Sequence, residues 1–261
     1  MIVYKIKWKS YIADLYVPDQ EIRNVVVLVP GLPKSSNPEK IVKAFLSAGS
    51  VVLYPNFSGM FDSDGRFDAV QCSKDVTEFI EWAHQPEVTE LYFEKKIELN
   101  LNKKVVLVGM SFGAAVSLLA CNDRVDKLIL LSPSLLFNHD EINQIIKFDF
   151  RSQMDYLMFF LKRAFPHTYR IESFESLGQF LHGELDYLQR KNIEQSLNKL
   201  KSSTLVVHGK LDFSVPWQIS DELRKSTNNA LIEWKFFKVA HSVSSYSKRA
   251  LDTITNFLKE E

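Results

Sequence analysis

Only two cysteines occur among the 261 residues, Cys72 and Cys121. That is too few for a disulfide framework or a zinc site. Both fall in helix-like patterns, so buried, reduced thiols of a cytoplasmic protein are the expectation. Charge of neither sign prevails, since 32 Lys and Arg balance 32 Asp and Glu. There is thus no basic field to recruit nucleic acid, and no tract of one sign. No apolar run approaches the roughly 18 residues of a membrane span. The opening MIVYKIKWKSYIADLYV alternates apolar and polar residues and lacks the compact apolar segment and cleavage site of a secretion signal. Internal repeats and low-complexity tracts are also missing. What is present is a chain that is 46% hydrophobic, 12% aromatic and 25% charged. Such a chain buries a full core, and its length suits one large α/β domain with an insertion.

The N-terminal alternation reads as two antiparallel strands turning near Lys9 and Ser10. NVVVLV, Asn24–Val29, is continuous and β-branched, as in a strand covered on both faces. A loop, PGLPKSSNP, leads to a helix over 38–48, and SVVLY, Ser50–Tyr54, is the next buried strand. After a polar loop over 56–67, the segment 68–84 carries Val76, Phe79, Ile80 and Ala83 at helical spacing. Strands at 104–108, 125–131, 203–207 and 231–237 then alternate with helices at 111–121, 217–226 and 247–258. Repeated strand–helix units predict a mainly parallel sheet with helices on both faces.

Residues 133–201 interrupt this rhythm. They hold no β-branched run and are rich in large apolar groups: Phe137, Phe148, Phe150, Met154, Tyr156, Leu157, Met158, Phe159, Phe160 and Phe165. So long an excursion between strands reads as a helical insertion that folds over something. The expected organisation is a core of residues 1–132 and 202–261 with a lid at 133–201. The aromatic stripe serves either to pack the insertion on the core or to line an acyl pocket as well.

At KKVVLVGMSFGAAVSLLA a buried strand stops at Gly109, and one serine stands between two glycines. Gly-x-Ser-x-Gly alone occurs by chance in roughly one chain in ten of this length. Its setting is more selective, because a strand precedes Ser111 and a helix follows at once. A tight turn there lifts the serine Oγ above the sheet edge, and side chains at 109 and 113 would crowd it. The alternative is a glycine-bounded helix start with serine as its cap.

A nucleophilic serine needs a base, and the base needs an orienting acid. In this architecture both follow later in the chain, acid before base, each just after a strand. Asp212 follows TLVVHGKLD and His241 follows IEWKFFKVAH. His84, His139, His167 and His182 lack the late post-strand position, and His208 precedes the acid and reads as structural or pocket-lining. For the oxyanion, the backbone N–H of Phe112 heads the helix, and a second donor comes from Pro30-Gly31-Leu32-Pro33. The prolines have no N–H, so Leu32 is the donor expected. Met110, Met158 and Phe160 are the candidate substrate-contacting side chains.

With these residues the chain resembles an α/β-hydrolase over most of its length outside 133–201. HGKLDFSVP is similar to the acid loop of that superfamily. NFSGMFDSDGRFD, 56–68, resembles the N-F-R-G-x-G-x-S-x-G-x-F-D loop of an esterase-like subgroup. That subgroup is related to the serine aminopeptidase and monoacylglycerol-lipase-like hydrolases. Three positions depart from the pattern: Pro30 where His is usual, Ser58 where Arg is usual, and Ala240 where glycine is often found.

Residues and resemblance together imply a serine hydrolase acting on small-molecule carboxylic esters, with no metal or organic cofactor, and the apolar stripe of 133–201 adds the expectation of apolar, medium-length acyl groups. A cytoplasmic monomer or small homo-oligomer is expected, without nucleic-acid partners or a membrane span. A peptidase or amidase, or a thioesterase or acyltransferase, would use the same three residues. A binding protein that kept the fold and lost the chemistry is the rival of another class. A haloalkane dehalogenase would want a carboxylate at 111.

Overall fold

The computed structural model describes residues 1–34, 38–99, 103–135, 139–146, 150–164, 168–185 and 189–260. Among these, the strands form one sheet in the order β10-β9-β8-β7-β3-β4-β2-β1-β5-β6. They are β1 (Ile2–Trp8), β2 (Tyr11–Val17), β3 (Asn24–Val29), β4 (Ser50–Pro55), β5 (Glu87–Glu90), β6 (Lys96–Glu98), β7 (Lys104–Met110), β8 (Lys127–Leu131), β9 (Ser203–Gly209) and β10 (Ile232–Phe237). From β4 across to β10 all neighbours are parallel, in the register Val25 to Val51, Val25 to Val105, Leu107 to Leu128, Leu128 to Thr204 and Ile232 to Thr204. The β1–β2 hairpin adds antiparallel to β4, and β5 and β6 continue that edge.

Alternate residues of the parallel strands feed two cores. On one face Val26, Leu28, Val106, Val108 and Ile129 pack with helices α1 (Glu39–Ser47) and, at the C-terminus, α9 (Lys248–Lys259). On the other, Val25, Val27, Val105, Leu107 and Leu128 pack with α2 (Cys72–Ala83), α3 (Phe112–Ala120) and α8 (Trp217–Ser226). Both cores are fully buried, and each such Val or Leu contributes about 1.5–3 kcal/mol over exposure. Cys72 is buried and Cys121 half-buried, both as free thiols.

The described part of the segment between β8 and β9 carries the helices α4 (His139–Ile146), α5 (Phe150–Ala164), α6 (Phe174–Leu181) and α7 (Arg190–Lys199). Ile142, Met154, Leu161, Leu177, Phe180 and Ile193 bury into the second core. Phe137, Phe148, Phe165, His167 and the side chains of His139 and Phe150 lie outside the described residues. The segment is fastened to the loop after β4. Phe61 N–H reaches the Thr168 carbonyl (2.8 Å), Arg170 N–H that of Gly59 (2.9 Å), and Glu172 N–H that of Phe67 (2.8 Å). The Arg170 guanidinium donates to the carbonyls of Phe61, Ser63 and Gly65. Ser58, at the position where the resembling loop carries Arg, donates both N–H and Oγ–H to the carboxylate of Asp75 on α2.

Two expectations shift. The helix expected from residue 68 begins at Cys72, because Asp68 Oδ1 takes the Val70 N–H in a local turn that competes with helix. Strands β5 and β6 were not expected, being short and charged, without an apolar run.

Candidate active site

Parallel strands end at one edge of the sheet, so the loops after β3, β7, β9 and β10 meet there. These loops carry Leu32, Ser111, Asp212 and His241.

Ser111 sits between β7 and α3 at φ 53°, ψ −117°, a conformation that costs a non-glycine residue of order 1–3 kcal/mol. Its surroundings hold it there. Its N–H bonds the Leu131 carbonyl at 2.9 Å, and its own carbonyl accepts from Ala114 N–H at 3.0 Å and Ser134 N–H at 3.2 Å. A Cβ on Gly113 would lie 2.3 Å from the Pro30 carbonyl oxygen, and one on Gly109 2.5 Å from Ala114 Cα. Only glycine fits at either place. The Ser111 hydroxyl does not cap α3, so Oγ stays available above the sheet edge.

Asp212 is buried, with its carboxylate fully covered. Oδ1 accepts the N–H groups of Ser214 (2.9 Å) and Val215 (2.8 Å). Oδ2 lies 2.7 Å from Nδ1 of the half-buried His241. Because the carboxylate only accepts, Nδ1 carries the proton and Nε2 is left as the basic nitrogen. Burial alone pushes the Asp212 carboxyl up. Hydrogen bonds from His208 and His241, the His241 charge and the Val215 N–H outweigh it and hold the carboxyl well below the usual range.

Ser111 and His241 line two cavities together. The larger, of about 320 Å³, runs under the inserted helices and is walled by Leu32, Phe112, Met154, Leu157 and Phe160, with Gln153, Ser134 and Ser214 as polar members. The smaller, of about 170 Å³, lies between Gly31–Pro33 and Ser242–Val243, with Met110 and Leu131. No hydrogen bond joins Ser111 to His241 among the described residues, a looseness common before substrate is bound. The backbone N–H groups of Leu32 and Phe112 are given to no protein acceptor among the described residues.

Of the predicted substrate-contacting side chains, Phe160 lines the larger cavity and Met110 the smaller. Met158 lines neither; its Sδ and Cε approach Gly178 of α6, 3.6 Å from where a Cβ there would stand. It is a packing residue between α5 and α6. His208 is buried and off the cavities. Its Nε2 donates to the Val215 carbonyl (2.9 Å) and lies 3.4 Å from Asp212 Oδ2, while Nδ1 accepts from Ser220 Oγ (2.7 Å).

Lys34 was not singled out in the sequence. Its Nζ reaches Asn56 Oδ1 at 2.6 Å and the carbonyls of Pro55 (3.3 Å) and Tyr54 (3.4 Å), over the Tyr54 ring at 3.8 Å. Its N–H donates to Tyr169 Oη at 2.6 Å. These ties fasten the loop that presents Leu32 to β4 and to the inserted segment. Burial pushes the Lys34 ammonium down to about 7. Among the described residues, no group of three or more His, Cys, Asp or Glu side chains is placed to hold a metal. None of their helices is long and apolar enough to cross a membrane.

A serine on a strained strand-to-helix turn, facing a carboxylate-bound histidine at the C-terminal edge of such a sheet, defines a hydrolase-type architecture. A family model described as alpha/beta hydrolase fold matches residues 24–168, more than half of the chain, and the protein belongs to that family. Solved structures agree over nearly its whole length. The alpha/beta hydrolase GrgF from Penicillium sp. sh18 is 17% identical, with a TM-score of 0.66 over 95% of this chain and 92% of that one. A monoacylglycerol lipase of Paleococcus ferrophilus is 16% identical, with a TM-score of 0.63 over 99% and 98%. An esterase of Pyrococcus furiosus is 16% identical, with a TM-score of 0.67 over 99% and 89%. Such identities speak for a common fold. Among curated proteins, none matches this chain.

Proposed function

We propose that the protein is a serine hydrolase that cleaves carboxylic esters through an acyl-enzyme on Ser111. The observation that carries this is the Asp212–His241 hydrogen bond of 2.7 Å beside a cavity shared by His241 and a positive-φ Ser111. His241 Nε2 takes the Oγ proton as Oγ bonds to the ester carbonyl carbon. The carbonyl electron pair moves to oxygen, where the Leu32 and Phe112 N–H groups receive the charge. As the pair returns, the C–O bond to the alcohol breaks and His241 gives that alcohol its proton. Water repeats the cycle on the acyl-enzyme and releases the acid. Asp212 fixes the imidazole tautomer and stabilises its charged form.

Residues 133–201 act in this reading as a lid whose α5 supplies an apolar wall for a medium-length acyl chain. The esterase and lipase among the structural neighbours support ester over amide substrates. The test is a fluorophosphonate probe, which an activated Oγ attacks. Peptide mapping should find the label on Ser111 alone, and Ser111→Ala should remove it from a folded protein. A folded wild type that stays unlabelled and hydrolyses no p-nitrophenyl ester would instead be a binding protein on this fold.

A further inference from the structure

One side chain of the inserted segment reaches the surroundings of both proposed oxyanion donors. Tyr169 is buried. Its Oη accepts the Lys34 N–H at 2.6 Å. Its ring stands edge-on to Phe67 at 5.8 Å, and Phe67 lies 6.4 Å from Phe112. The Phe112 ring also meets Phe57 at 5.9 Å and Phe180 of α6 at 5.1 Å. This aromatic cluster fixes Phe112 at the head of α3. The Leu32 loop is held from further along. Pro33, between Leu32 and Lys34, has a fixed φ and restricts Leu32 before it, so residues 32–34 form a stiff unit. The Lys34 Nζ bonds to Asn56, Pro55 and Tyr54 fix the end of a flexible side chain. The Tyr169 bond fixes the Pro33–Lys34 peptide itself. The same loop packs on the nucleophile, since a Cβ on Gly31 would stand 3.4 Å from Ser111 Cβ. A shift at Lys34 is therefore a shift of the Leu32 N–H relative to Ser111.

We propose that Tyr169 is a positioning residue for the oxyanion site: its hydroxyl holds the Pro33–Lys34 peptide where the Leu32 N–H meets the developing oxyanion. The inserted segment then builds part of the machinery as well as roofing the acyl cavity. The proposal rests on the ester-hydrolase reading. Tyr169 lines neither cavity that Ser111 and His241 share, so it acts through Leu32 and not on substrate. The charge appears on oxygen only as Ser111 Oγ bonds to the carbonyl carbon. A misplaced donor thus weakens the transition state and leaves ground-state binding alone.

Tyr169→Phe removes the acceptor and keeps the ring, with thermal unfolding as the check on folding. On p-nitrophenyl butyrate, kcat should fall about tenfold with KM within about twofold. An alkyl trifluoromethyl ketone takes Ser111 Oγ onto its carbonyl carbon, sends the Oγ proton to His241 and leaves the charge on oxygen. Its Ki should rise about tenfold in parallel. The corresponding secondary alcohol forms no oxyanion and should bind unchanged. Amide exchange at Lys34, followed by NMR, should be slow in the wild type and about tenfold or more faster in Tyr169→Phe. Wild-type kcat and ketone affinity in a merely less stable variant overturn the proposal, and so does a loss confined to KM. Free exchange of the Lys34 amide in the wild type overturns it without recourse to any variant. A wild type that hydrolyses no ester and binds the ketone no better than the alcohol sinks the ester-hydrolase reading and this proposal together. An active wild type that Tyr169→Phe leaves unaltered sinks the role of Tyr169 alone.

Discussion

Nε2 of His208 lies 3.4 Å from Oδ2 of Asp212, the oxygen that also takes the His241 hydrogen bond. The Val215 carbonyl and Ser220 hydroxyl hold the His208 ring as the Nε2–H tautomer, so its positive edge faces the carboxylate. In the proposed mechanism His208 is thus a positioning residue for the acid. His208→Phe is expected to lower kcat on a p-nitrophenyl ester by about tenfold. Asp212→Asn, which favours the wrong imidazole tautomer, should cost about 10⁴. A wild-type kcat in a merely less stable His208→Phe would make His208 a core residue and nothing more.

The strain at Ser111 predicts a gain in stability from losing it. Ser111→Ala keeps the unfavourable φ of 53° and ψ of −117°, whereas Ser111→Gly relaxes it. Ser111→Gly should therefore be the more stable of two inactive variants, by about 1 kcal/mol after the greater freedom of unfolded glycine is allowed for. Urea unfolding of both decides this. Equal midpoints would mean that the bonds to Leu131, Ala114 and Ser134 do not hold a strained residue.

The inner strands and the order of Ser111, Asp212 and His241 were legible because they follow from local rules. NVVVLV and KVVLVGM are apolar on both faces, so only a covered strand suits them. Ser111 stands directly after one of these strands, and Asp212 and His241 stand a few residues beyond β9 and β10. Strands β5 and β6 were not legible, because short charged strands look like loops until a partner pairs with them. The side chains of α5 were partly misjudged for a related reason. Met158 and Phe160 are both apolar, and which one faces the cavity depends on where α6 packs. Lys34 and Tyr169 carry no motif; only their surroundings make them unusual.

Lys34 gives a pH signature of its own. Its ammonium is pushed down to about 7 by burial, with Lys5 adding to the shift and Asp14 and Asp62 opposing it, against about 10.4 in an unfolded chain. Between these values the folded state binds fewer protons than the unfolded, so stability from this site rises with pH. The penalty is full below about 7 and gone above about 10.4. The unfolding free energy of the wild type relative to Lys34→Met should therefore climb between pH 6.5 and 9.5. Chemical denaturation at both pH values measures it. A flat difference would place the ammonium in water rather than among Tyr54, Pro55 and Asn56.

The wall of the larger cavity makes a claim about chain length. Met154, Leu157 and Phe160 are three of its apolar groups, and each buried methylene of an acyl chain gains about 0.8 kcal/mol there. From acetyl to hexanoyl is four methylenes. Full burial is worth up to about 3 kcal/mol, or roughly a hundredfold in kcat/KM, and partial burial about tenfold. Phe160→Ala should flatten this slope, since it removes wall. Met158→Ala should leave the slope and lower the thermal midpoint, because Met158 packs on Gly178 of α6 instead. A p-nitrophenyl ester series in the wild type and both variants separates the two roles. A slope lost equally in both would mean that α5 moves as a unit and that no single side chain forms the acyl wall. A wild type that prefers acetyl would leave α5 with packing as its whole task.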